Sequence, residues 1–138
     1  MTVLSTDTTR LSGVVKMEFE PQSQYCRESI IINDIAATLA VGTVLGKVTG
    51  TGKYKVCQTN AVDGSQTPAA IYIADGLGLS GPLTLAAATD TKAIVLARGP
   101  AIVADIGLAF GAANQPTVSA CKTAFAALVP PVLVETGL

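Results

Sequence analysis

The stretch Ala40–Cys57, AVGTVLGKVTGTGKYKVC, decides the fold class. Val44 and Val48 share one parity with Gly46 between them, while Val41, Thr43, Leu45, Lys47 and Thr49 take the other. Further on, Tyr54 and Val56 face one way and Lys53 and Lys55 the other. A period of two belongs to a strand, whose successive side chains point to opposite faces. Gly50-Thr51-Gly52 stands between the two runs and reads as a tight turn, because glycine adopts positive φ without steric cost. Two alternating runs joined by such a turn form a β-hairpin.

The β pattern extends outward in both directions. Upstream, CRESIIIN (Cys26–Asn33) is a β-branched run stopped by the turn signal Asn33-Asp34, and the run from Ala37 to Gly50 reads as extended throughout. Downstream, Asp63-Gly64-Ser65 is a turn, AAIYIA (Ala69–Ala74) a short apolar strand, and KAIVLARG (Lys92–Gly99) a strand ending at Gly99-Pro100. LTLAAATDT (Leu83–Thr91) is ambiguous between helix and strand, and AIVADIGLAF (Ala101–Phe110) continues as strand or as a short helical turn. The period then changes. Val118, Cys121, Phe125 and Leu128 recur at helical spacing, with Thr117 or Ser119 as the cap. Pro130-Pro131 ends this helix, and VLVE (Val132–Glu135) gives a last strand. The expected fold is mainly β: a small β-barrel-like single domain with one short C-terminal helix.

Residues 1–24 differ from the rest. They are rich in Thr and Ser, and their main apolar positions are Val14, Val15, Met17 and Phe19. They read as an extended N-terminal arm ahead of a β domain at 25–138, with Leu11–Phe19 able to form a strand once paired.

Composition excludes several functions. The 138 residues suit one domain. Hydrophobic residues make up 49%, with alanine prominent, and charged residues only 14%. Such a thinly charged domain has surface to spare for partners. Nine basic and ten acidic residues are mixed along the chain, so no cluster exists to neutralise phosphates, and nucleic acid is not an expected partner. No run reaches the length of a membrane span, and MTVLSTDTTR lacks the basic start and apolar block of a secretory signal. A soluble protein made in the cytoplasm is expected. Cys26, Cys57 and Cys121 are dispersed and odd in number, which predicts free, buried thiols. With no histidine and no C-x-x-C, neither a metal site nor a cofactor is expected.

Three motifs hint at chemistry and fail on context. Gly76, Gly78 and Gly81 have the G-x-G-x-x-G spacing of a dinucleotide turn, but Pro82 follows instead of a helix opening. That motif works only where a helix N-terminus receives the pyrophosphate. GTGKY (Gly50–Tyr54) lacks the leading glycine and trailing Ser or Thr of a phosphate loop. The carboxylates sit largely beside turn residues, at Asp34, Asp63, Asp75 and Asp90, where Asp ordinarily bonds its own backbone. Arg27 and Glu28 read as a buried pair or, more simply, as a solvated strand edge, and no cysteine has an evident base partner. No catalytic residue is expected. A non-catalytic carrier or ligand-binding β-barrel module is the alternative, although Lys47 and Lys53 fit a carrier's modified lysine poorly.

Several segments occur together in order: Arg27-Glu28 before a β-branched strand, Gly42–Gly46, Lys53-Tyr54, Asp63-Gly64 ahead of a strand, and Arg98–Ala101 as Arg-Gly-Pro-Ala. Over Tyr25–Glu135 this resembles the phage head decoration protein family, the group similar to lambda's small capsid-stabilising protein. The resemblance implies a β-tulip-type domain that trimerises at three-fold positions of the expanded head and resists internal DNA pressure. It further implies a late structural protein of the virion's outer surface, with the major capsid protein and its own copies as partners. On this reading the capsid-binding arm carries Leu11, Val14, Val15, Met17 and Phe19, and Leu11–Phe19 is expected to become ordered only against the capsid. A fibre or baseplate accessory protein would trimerise too, without binding shells.

Overall fold

A computed structural model describes residues 11–19, 25–110 and 114–136. Five strands close into a barrel: β2 (Arg27–Ile32), β4 (Val44–Lys47), β5 (Tyr54–Val56), β6 (Pro68–Asp75) and β8 (Thr91–Leu96), in the order β2-β5-β4-β6-β8. β4 and β5 are the expected hairpin, with Lys47 opposite Tyr54 and Gly52 at φ +72° in the turn. The barrel shuts where β2 meets β5 in parallel at Ile32 and Tyr54.

A three-stranded sheet stands beside the barrel. β9 (Ala101–Ala104) is central, flanked by β1 (Val15–Glu18) antiparallel and β10 (Val132–Glu135) parallel. A short helical turn, α1 (Leu11–Val14), leads into β1, and a 3-10 turn (Asp105–Gly107) follows β9. A two-stranded sheet pairs β3 (Ala37–Leu39) with β7 (Leu83–Leu85), which resolves the ambiguous Leu83–Thr91 segment as a three-residue strand and a loop.

The expected single run from Ala37 to Gly50 is two strands. The chain turns at Ala40–Thr43, where the Thr43 amide and hydroxyl both donate to the Ala40 carbonyl, at 3.2 and 2.7 Å. Gly42 permits this turn. Its φ is +100°, and a Cβ there would lie 2.0 Å from the Gly107 carbonyl oxygen.

β6 explains why its sequence is apolar without alternation. Ala70–Ala74 is buried on both faces, because β4 and β8 flank the strand and the helix α2 (Val118–Ala126) packs over it. Thr117 caps α2, its side chain accepting from the Ala120 amide at 3.0 Å. Cys121 and Phe125, one turn apart, are fully buried. Tyr72, Phe125, Ile32, Leu45, Ile71 and Ile73 are the largest side chains of the core. The Tyr72 hydroxyl donates to the Gly81 carbonyl at 2.7 Å, so this polar tip is satisfied.

Candidate functional site

The described surface holds no cluster of three or more metal-ligating side chains, and no described helix is long and apolar enough to cross a membrane. All three cysteines are free and buried. Burial pushes the Cys57 thiol up to about 11 and the Cys121 thiol up to about 12, Cys57 adding to the latter shift. Both therefore stay protonated, and a protonated thiol is a poor nucleophile.

The dinucleotide-like loop is built for something other than phosphate. The Asp75 carboxylate accepts from the Leu77 and Leu79 amides at 2.9 and 3.0 Å. The amides that would greet a phosphate already hold an anionic side chain, and Gly81 leads into β7 rather than a helix. Asp34, Asp63 and Asp75 bond nearby backbone, as turn aspartates do. Asp90 is the exception: it accepts from Asn33 at 2.7 Å and Lys53 at 2.9 Å. The Asn33 hydrogen bond, then Lys53, hold its carboxyl below the usual range.

An exposed apolar patch lies around β1. Among the described residues β1 and β10 are the edges of the three-stranded sheet. Edge strands present unpaired backbone groups and are ready partners for another chain. A bulge between Val15 and Met17 bends β1, which ends as the Phe19 amide donates to the Pro100 carbonyl at 2.8 Å. Met17 and Phe19 are 46% and 47% exposed. Phe19 meets Tyr25 edge-to-face with ring centroids 6.0 Å apart, and the Arg98 guanidinium lies 5.3 Å over the Tyr25 ring. Arg98 also reaches Glu28 at 3.4 Å.

Beneath this patch lies an ion pair. The Arg27 Nε donates to both Glu18 carboxylate oxygens at 3.1 Å, and Nη2 donates to Oε1 as well. Their side chains are 20% and 4% exposed. Arg27 and Glu28 do not pair with each other, because neighbours along a strand project to opposite faces. Arg27 turns inward to Glu18 and Glu28 outward to Arg98.

The structure thus divides the five arm residues. Leu11 opens α1, Val14 is fully buried in the core, and Val15 is half-buried opposite Val103. Only Met17 and Phe19 among the latter four offer a partner much side chain. Residues 1–10 and 20–24 of the expected arm lie outside the described residues. Tyr25, Arg98 and Glu18 were missed at the sequence level. Tyr25 and Arg98 are far apart in the chain and meet only because β2 lies antiparallel to β8.

Residues 4–129 match the family model of bacteriophage lambda head decoration protein D. The chain belongs to this family. The match begins well ahead of Tyr25, where the sequence resemblance was placed, so most of the arm shares the family pattern; it ends short of β10. No curated protein and no solved structure matches the chain. Membership in a head decoration family supports a structural role on the phage capsid.

Proposed function

We propose that this chain decorates the outer surface of the phage head as a homotrimer. It sits at three-fold positions of the expanded shell, contacts the major capsid protein, and stabilises the head against internal DNA pressure without catalysing a reaction. Residues 1–24 act as its arm and 25–138 as its body. The observation that carries this reading is β1: an edge strand with Met17 exposed on it and Phe19 exposed just beyond it, fastened to the body by Arg27 and Glu18.

The physical logic is that of a clamp. An edge strand adds to a partner's sheet through main-chain hydrogen bonds, and alternate side chains supply specificity. Three such arms on one body raise avidity roughly 10²–10⁴-fold over one arm, provided the sites match the trimer's spacing. That condition makes binding sensitive to shell expansion, which moves the sites.

Co-sedimentation with empty shells tests the proposal. Saturable pelleting with expanded shells alone, at three copies per three-fold position, is the expected result. Absence of pelleting with both expanded and unexpanded shells would overturn it.

A further inference from the structure

We infer that Leu11–Phe19 is a latched strap, closed on the body before any shell is met and still closed when a shell is bound. The first half stands on the chain alone. The second half rests on the proposed shell contact of β1 and says how that contact is made.

Read as sequence, Leu11–Phe19 is expected to order only against the capsid. Its contacts with the body argue for order beforehand. At the start of the strap Val14 is wholly buried, and two glycines leave it room. A Cβ on Gly107 would lie 2.6 Å from the Gly13 carbonyl oxygen and 2.8 Å from the Val14 Cα. One on Gly42 would lie 3.1 Å from the Val14 Cγ2. Gly107 is not among the glycines with positive φ, so its backbone conformation does not call for glycine. The close passage of the strap does.

Along its length the strap belongs to a sheet. Val15, Met17 and Glu18 stand opposite Val103, Ile102 and Ala101 of β9. At its far end three contacts gather. Glu18 meets Arg27 almost out of water, the Phe19 amide donates to the Pro100 carbonyl at 2.8 Å, and the Phe19 ring meets Tyr25. The Cys26 thiol is wholly buried at this same end, donating to the Pro100 carbonyl at 3.5 Å and the Phe19 carbonyl at 3.8 Å.

The ion pair is the latch. A carboxylate and a guanidinium this far from water hold as a pair and fail when one charge is removed. The latch sits beside Met17 and Phe19, so it fixes the two side chains offered to a partner. Side chains ordered in advance lose little entropy on docking. Nor does docking require the strap to lift. One edge of β1 is bonded to β9, and the other is the edge to which a further strand can add.

Thiol labelling and amide exchange test this on the full-length chain, free and on expanded shells. N-ethylmaleimide is added, and labelling at each cysteine is read from peptide masses. Cys57 and Cys121 are buried in the core, so they report global unfolding, whereas labelling confined to Cys26 reports opening of the strap. In the free wild type Cys26 should react at least about a hundredfold more slowly than in the urea-unfolded chain, and the Phe19 amide should be protected. Glu18→Gln should speed Cys26 roughly tenfold and leave Cys57 and Cys121 near their wild-type rates. Gly107→Ala, whose added methyl meets the strap's backbone, should speed exchange along β1. On shells Cys26 should react no faster than in free protein.

A freely reacting Cys26 and an unprotected Phe19 amide in the free wild type would overturn the inference. So would a Glu18→Gln variant in which all three cysteines accelerate equally or none does, because the pair would then be no latch. Faster reaction of Cys26 on shells would show the strap lifting and overturn the second half. A chain that binds no shell removes the shell reading, while the free-protein rates still decide whether the strap is closed.

Discussion

The Arg27 guanidinium closes on the Glu18 carboxylate across the junction between barrel and sheet, with Glu18 almost wholly out of water. It is the tie that holds the proposed shell-facing strand to the body. Glu18→Ala leaves a half-buried guanidinium without its partner. It should cost about 2–3 kcal/mol in urea unfolding, since breaking a buried pair strands the other charge. A double-mutant cycle with Arg27→Ala should recover part of that cost. Amide exchange in Val15–Glu18 should accelerate more than exchange in β6.

Shell binding should depend on Met17, exposed on that strand, and on Phe19, exposed just beyond its end. Met17→Ser with Phe19→Ser should lower the melting temperature only modestly, because both residues are about half exposed and the main loss is the edge-to-face contact of Phe19 with Tyr25. Affinity for expanded shells should fall by roughly tenfold or more if they act as interface anchors. Undiminished binding would place the shell contact elsewhere.

Gly46→Ala should be among the most damaging single changes. A Cβ at Gly46 would lie 2.1 Å from the Ser65 carbonyl oxygen, and the nearest atoms are backbone that cannot step aside. We expect a loss of about 3 kcal/mol or more, visible as a lower urea midpoint.

The helix offers a graded comparison. Phe125→Ala empties a fully buried site under α2 and should cost about 3–5 kcal/mol. Thr117→Ala removes only the cap and should cost about 1 kcal/mol.

Alkaline pH should weaken the fold through the buried thiols. Folding raises the Cys57 and Cys121 values from 9.0 to about 11 and about 12, chiefly by desolvation. The folded state thus binds these protons more tightly than the unfolded state does. The resulting stability is complete below pH 9 and is lost as pH rises toward 11 and 12. Tyr72, raised to about 12 by burial and then by Asp75, adds to the same limb. A Cys57→Ala/Cys121→Ala variant should start less stable at pH 7 yet lose less between pH 9 and 11 than wild type. Parallel curves would contradict this account.

Much of the fold was legible because its signals are local. The β4–β5 hairpin follows from alternation and Gly52, and α2 from four apolar positions, a capping Thr117 and two prolines. The break at Gly42 was hidden, because its cause is a carbonyl at Gly107, far along the chain. The surface around β1 was legible only in its apolar letters. Val14 reads like Met17 in a list of hydrophobic residues, yet one fills the core and the other faces solvent. Arg27 beside Glu28 invites a local pair, but each side chain answers to a residue on another strand. Polar contacts across a barrel depend on register, and register is a property of the whole sheet.

The place of β9 bears on how the molecule is made. Its neighbours are β1, from the start of the described chain, and β10, from its end. A ribosome delivers β1 first, but β1 has no strand to join until Ala101–Ala104 emerges. The barrel strands from β2 to β8 lie between and can close earlier, whereas this pairing carries a high loop-closure cost. The strand proposed to meet the shell is therefore translated early and secured late. A chain halted before β9 would hold every barrel strand, with β6 not yet covered by α2 and with Met17 and Phe19 still unplaced.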